Sequence, residues 1–366
     1  MSALSTRPAL RWVVPVAAAA MVLTAGIAGR AIVADADPAL PPRSAAELLV
    51  DLQTSAVTGL SGTVVQRAAL GLPELPVSIG GQGSSEFSAL VSGTHTLRVW
   101  YGGEERQRIA LLGTLGESDL IRNGDDVWTW SSASNEVSHL VLPEQPEPPQ
   151  PLPADLPTTP QEAAELALAA IEPSTRVSTD GTATVAGRAA YELVLRPRDT
   201  GSLVAQVRIA VDAEEQVPLR VRVYAEGVTE PAVEIGFSQI SFEMPGDEHF
   251  EFRPPRDAVV TEVSSDDPLA EDLATEGSEP TVVGSGWTAV LVAAAPVSDP
   301  PAGDPPAGDP DSEALDVLLQ ALPRVSGDWG SGYLLESALV SVLITDDGRL
   351  LAGAVNPERL YDVAAS

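Results

Sequence analysis

The residues able to do chemistry are few in this chain of 366, and their spacing argues against most reactions. Cysteine is absent, which removes a thiol nucleophile, a disulfide framework, a thiolate-bound zinc or iron and an N-terminal lipid attached through Cys. His95, His139 and His249 are scattered, no two of them at a helical or strand spacing that would make a metal site. His139 falls beside Val137 and Val141 on a strand, the setting of a satisfied half-buried histidine. Asp125-Asp126 and Asp346-Asp347 could offer oxygens to calcium, but neither pair is followed by the ligand spacing of a calcium loop, and both stand where turns begin. Gly-x-Ser-x-Gly, a phosphate-cradling glycine loop and a dinucleotide fingerprint are all missing. The expectation is a protein that is not an enzyme and needs neither metal nor cofactor.

What the sequence offers instead is apolar surface. Trp128 and Trp130 alternate with Val127 and Thr129 and so share a strand face, and Leu195, Ile209, Val221, Ile235 and Phe237 recur at the same period on later segments. These seven are the candidates for lining a ligand cavity. A filled core has the same pattern, and both readings stand. Supply is what favours a cavity, because the apolar faces of so many strands exceed what two thin Ala/Leu helices can cover.

The elements that must position these residues are mostly short strands. From Thr96 to Pro143 the chain alternates and turns repeatedly, with Gly102-Gly103 and Asn123-Gly124 as breaks, the latter a dipeptide that accepts positive φ in a hairpin. Glu86 to Val91 is expected as a strand leading into this meander, and Gly62 to Ala69 as the first strand. Further strands follow over 176–185, 189–196, 203–212, 219–226 and 231–242, aliphatic on one face and charged on the other, which describes an antiparallel sheet wet on its outside. Such a sheet curls, and its aliphatic side becomes concave. Ser44-Ala-Ala-Glu47 is a capping box opening an amphipathic helix to about Val57, and Thr159-Pro160-Gln161-Glu162 opens a second to Ile171 after the proline-rich run 143–160.

Charge narrows the partners. The formal net charge of −31 argues against nucleic acid and anionic lipid surfaces, though not against a lipid held by its tails. Arg7 and Arg11 precede the apolar run Trp12 to Gly29, and Ala34-Asp35-Ala36 fits a cleavage site, so residues 1–36 read as a signal peptide or a membrane anchor, with the acidic bulk outside. The expected division is a main domain over 37–263, an acidic linker over 264–280 and a small domain over 281–366. The last contains a Pro/Gly/Asp loop at 296–311 expected to be disordered, a short helix over 313–322, strands over 337–344 and 349–355 around Asp346-Asp347-Gly348, and a final helix begun by Asn356-Pro357-Glu358.

The runs RVWYGGEERQRIAL, RNGDDVWTWSSASNEVSHLVLP and EIGFSQISFEMPGDEHFEFRPP, within Arg43 to Pro255, resemble the lipoprotein carriers of the LolA type and the sigma-E regulators of the RseB (MucB) type. ESALVSVLITDDG is similar to the start of the small second domain of the RseB-type regulators. The resemblance implies an α+β, mainly β fold: a curved antiparallel sheet forming an unclosed β-barrel with a helical lid, plus a small C-terminal α+β unit. It implies a cavity for acyl chains, lipids or lipoproteins outside the inner membrane. The partners it implies are a lipid or acylated lipoprotein, and either an export ATPase complex for a carrier or an anti-sigma factor for a regulator.

Overall fold

Ser44 opens the first helix, α1 (Ala45–Thr54), as its capping box requires. The serine hydroxyl accepts the Glu47 N–H, and the Glu47 carboxylate accepts the Ser44 N–H at 2.7 Å. The helix ends at Thr54, short of Val57, because Ser55 is extended and its N–H closes the last turn on the Asp51 carbonyl. Of the computed structural model, residues 40–55, 57–72, 87–114, 116–142, 173–263, 281–295, 319 and 321–366 are described. The N-terminal apolar run, the proline-rich run with the helix expected after it, the acidic linker and the 296–311 loop lie outside the described residues, as does nearly all of the helix expected over 313–322. Among the described residues no helix is long and apolar enough to cross a membrane.

The main sheet is built from β1 (Leu60–Ala68), β2 (Gly93–Tyr101), β3 (Arg106–Leu112), β4 (Glu117–Asn123), β5 (Asp126–Ser131), β6 (Glu136–Val141), β7 (Thr175–Val185), β8 (Arg188–Pro197), β9 (Val204–Asp212), β10 (Pro218–Ala225), β11 (Pro231–Ser241) and β12 (Val259–Val263). Its order is β12-β6-β5-β4-β3-β2-β1-β11-β10-β9-β8-β7, two meanders joined where β1 pairs with β11, with its end strands β12 and β7 unjoined. The fold is therefore mainly β and its barrel unclosed. Gly124 takes φ +65° in the β4–β5 turn, as the Asn-Gly pair foretold.

In the C-terminal unit the strand expected over 337–344 is Ser341–Thr345, preceded by two that were not expected, Arg324–Gly327 and Gly330–Glu336. Two elements of the main domain also depart from the sequence reading. The strand expected over 86–91 is a 3-10 turn, Phe87–Val91, whose Phe87 and Leu90 pack onto the sheet's apolar centre while the Leu90 carbonyl accepts Gln66 Nε2–H at 2.7 Å. Those contacts need a bent segment lying across the sheet, which an added strand could not supply. The other departure is β12, which pairs with β6 in parallel and extends an otherwise antiparallel sheet.

The C-terminal unit is a six-stranded sheet of β13 (Thr281–Val283), β14 (Val290–Ala294), β15 (Arg324–Gly327), β16 (Gly330–Glu336), β17 (Ser341–Thr345) and β18 (Arg349–Gly353), ordered β13-β14-β18-β17-β16-β15. Helix α2 (Pro357–Ala364) follows and buries Leu360 and Val363 against Leu343 and Leu351. The two units are joined by main-chain bonds. Leu203 N–H donates to the Ala354 carbonyl and Ala338 N–H to the Leu70 carbonyl, both in a seam where Leu339 packs with Val204, Ala225 and Ala232. The Trp287 indole N–H completes the seam on Thr175 Oγ1 at 2.7 Å.

Candidate functional site

Residues directly opposed on paired strands share a face, so the register sorts the seven candidates. Leu195 opposes Val207, Ile209 opposes Val221, Val221 opposes Ile235, and Phe237 opposes Val64, which continues to Leu97 and Leu111. These five candidates stand on the side covered by α1, through Leu48, Leu49 and Leu52, and by the 3-10 turn. That is the concave side.

Trp128 and Trp130 are not with them. Trp130 opposes Asp119, Asp119 opposes Ala110, Ala110 opposes Arg98, and Arg98 opposes Thr63, the neighbour of Val64 that points the other way. Both tryptophans therefore lie on the convex side, where the return segment after β11 covers them. Trp128 stacks on the His139 ring at 3.7 Å and meets Phe252 at 5.6 Å, while Trp130 meets Phe252 at 6.4 Å. Farther along, Trp100 stacks on His249 at 5.3 Å, and Phe250 is buried. The tryptophans pack against the chain's own aromatic rings, away from the concave face.

On the concave side the five candidates fall into two groups. Leu195, Val221 and Ile235 are buried, Ile235 completely, and serve as core. Ile209 and Phe237 are half-buried, as are Val99, Ile109, Val207 and Val223 around them. Phe237 lies over Gly62, where a Cβ would come within 2.9 Å of its ring, so the glycine is what lets the phenyl group lie flat on the sheet. The half-buried wall is apolar and can hold hydrocarbon; buried on the same face, Gln66 Nε2 meets the Leu90 carbonyl at 2.7 Å and His95 Nε2 the Ser92 carbonyl at 2.6 Å.

The charged groups sit elsewhere and serve structure. His139 bridges Asp126 Oδ1 at 2.8 Å and Glu262 Oε2 at 2.7 Å, tying β12 to β5. Burial alone would lower its pKa, but the two carboxylates outweigh it and hold the imidazole above 6.5. Asp119, fully buried, accepts Arg108 Nε–H at 2.7 Å, and burial with Asp119 beside it pushes Glu117 up. A cleft of about 450 Å³ at the seam between the units is lined by Asp199, Thr288, Asn356, Arg359 and Asp362 among others, too polar for an acyl chain. Among the described residues no three His, Asp or Glu side chains are grouped to hold a metal ion.

The main domain is an open sheet with an amphipathic helix across its apolar side. Within it, residues 90–243 match the family described as the MucB/RseB N-terminal domain. Among solved structures, the MucA/MucB complex of Pseudomonas aeruginosa is 16% identical over 88% of this chain and 97% of that one, with a TM-score of 0.44. A conserved protein of Thermus thermophilus is 15% identical over 59% of this chain and 98% of that one, with a TM-score of 0.34. A LolA superfamily protein of Nitrosomonas europaea is 12% identical over 58% and 99%, with a TM-score of 0.22. No curated protein matches the chain.

Proposed function

We propose that the protein is a non-catalytic carrier working outside the cell's inner membrane, holding an acyl chain of a lipid or lipoprotein against its concave face. The observation that carries this reading is the half-buried ring of Val99, Ile109, Val207, Ile209, Val223 and Phe237 around a buried centre, covered among the described residues by a ten-residue helix and a 3-10 turn. Burial of about a dozen methylenes there is worth roughly 10 kcal/mol at about 0.8 per CH₂, less the cost of ordering the chain. That suits capture followed by release to a partner. The N-terminal segment would deliver the domain by secretion or hold it to the membrane.

The match of residues 90–243 to the MucB/RseB N-terminal domain favours a second reading, a regulator whose large domain senses lipid and whose C-terminal unit docks a membrane partner such as an anti-sigma factor. One experiment addresses the cavity in both. Native mass spectrometry of the purified chain, with fluorescent fatty acid as a probe, is expected to show bound lipid that Ile209→Arg and Phe237→Asp abolish while the circular dichroism spectrum is kept. A protein that emerges empty and ignores the probe would overturn the lipid reading. Deleting 281–366 is expected to spare lipid uptake and, for a regulator, to remove partner binding.

A further inference from the structure

The convex face over β8, β9, β10, β11 and β1 concentrates positive charge in a molecule whose net charge is −31. In register, Arg208 opposes Arg222, Arg222 opposes Glu234, and Glu234 opposes Arg67, one row running straight across four strands. Three strand spacings make that row about 14 Å long. Two like charges directly opposed in a sheet destabilise it. Glu192 offsets this pair: its Oε2 accepts from Arg208 at 2.9 Å and its Oε1 from Arg222 at 2.9 Å and Arg220 at 3.0 Å.

One buried carboxylate among three guanidiniums leaves charge uncompensated. Arg208 also pairs with Asp180, while among the described residues Arg196 donates to the neutral Gln206 Oε1, and Arg67 is exposed. Five arginines thus stand among Glu192, Asp180 and Glu234. The Nε–H groups of Arg208 and Arg220 are buried without a partner. Arg220 lies across Gly236, where a Cβ would come within 2.7 Å of its stem. Burial, with the adjacent Arg222, lowers the Arg220 pKa from its usual value against the opposing pull of Glu192 and Glu234.

We propose that this arginine row is a docking surface for an acidic, extended segment of a partner protein. Carboxylates at alternate positions of an extended chain recur at about 6.7 Å, so residues i to i+4 span the row from Arg208 to Arg67. A flat anionic membrane fits poorly, because it would meet the acidic remainder of the molecule as well as the row. A single segment meets only the row, where Glu234 stands between Arg222 and Arg67 and the arginines outnumber it.

The test uses the full chain and fluorescein-labelled octaglutamate, read by fluorescence anisotropy at low ionic strength. Binding is expected, lost at high salt and weakened about tenfold by Arg67→Glu, at an exposed position, and by Arg222→Gln, each variant checked for its fold by circular dichroism. Arg324→Glu on the C-terminal unit makes the same change in total charge and is expected to leave binding as it was. If Arg222→Gln fails to fold, Arg67→Glu decides. Absence of octaglutamate binding, equal binding by Arg67→Glu, or capture of phosphatidylglycerol vesicles without capture of the peptide would each overturn the proposal.

Discussion

The two faces of the main sheet are made by the same strands and differ in almost every other respect. On β10, Leu219, Val221 and Val223 alternate with Arg220, Arg222 and Tyr224. Val221 and Val223, with Ile235 and Val64, enter the concave core beneath the 3-10 turn, while Leu219, beside a register shift, packs with Ala190 and Ala210. The second set lies on the convex face, where the Arg220 stem covers Gly236. A sheet divided in this way carries two separable surfaces, one for hydrocarbon and one for charge. A change on either side is expected to leave the other's binding intact unless it unfolds both.

The largest effect should come from Ile235→Asp, which places a carboxylate at a fully buried concave position. The loss is expected at or above about 4 kcal/mol, enough to unfold the domain and abolish binding on both faces, as urea denaturation would register. Glu192→Ala should follow at about 3 kcal/mol, since it leaves three arginines around an empty centre on the convex side. Its lipid uptake, measured with the folded fraction, is expected to match that of the parent protein, and a variant that folds but loses uptake would erase the distinction between the faces. Ser44→Ala removes the capping-box hydroxyl and should cost about 1 kcal/mol, with weaker retention of a fluorescent fatty acid if α1 is the lid.

The smallest effect concerns pH. The His139 pKa is raised in the folded protein by Asp126 on β5 and Glu262 on β12, against the opposing effect of burial. Its contribution to holding β12 is therefore fully present below about 6.5 and lost as pH rises through the higher folded value. Hydrogen exchange at 259–263 is expected to quicken over that rise beyond the intrinsic pH dependence of exchange. His139→Asn should remove the excess while leaving lipid uptake unchanged.

Alternation in the sequence located most strands, the Asn123-Gly124 turn and the Ser44 capping box, because each of these is decided by near neighbours. It also grouped Leu195, Ile209, Val221, Ile235 and Phe237 correctly on one face. Trp128 and Trp130 were misplaced for an instructive reason. A period of two divides each strand into two faces but does not say which face of β5 continues which face of β10; that depends on the register through every strand between them. Size was the wrong guide, since Phe252 of the return segment and the ring of His139 supply the tryptophans with partners. The parallel β12 and the convergence of three arginines on Glu192 depend on pairings distant in the chain, and a one-strand pattern carries no trace of either.

The seam between the two units has a consequence of its own. Because Leu203 is bonded to Ala354, and Ala338 to Leu70, through main-chain atoms that every residue type except proline can provide, these stitches are indifferent to most substitution. Most substitutions at these four positions therefore leave both bonds in place, and with them the mutual pose of the two bodies.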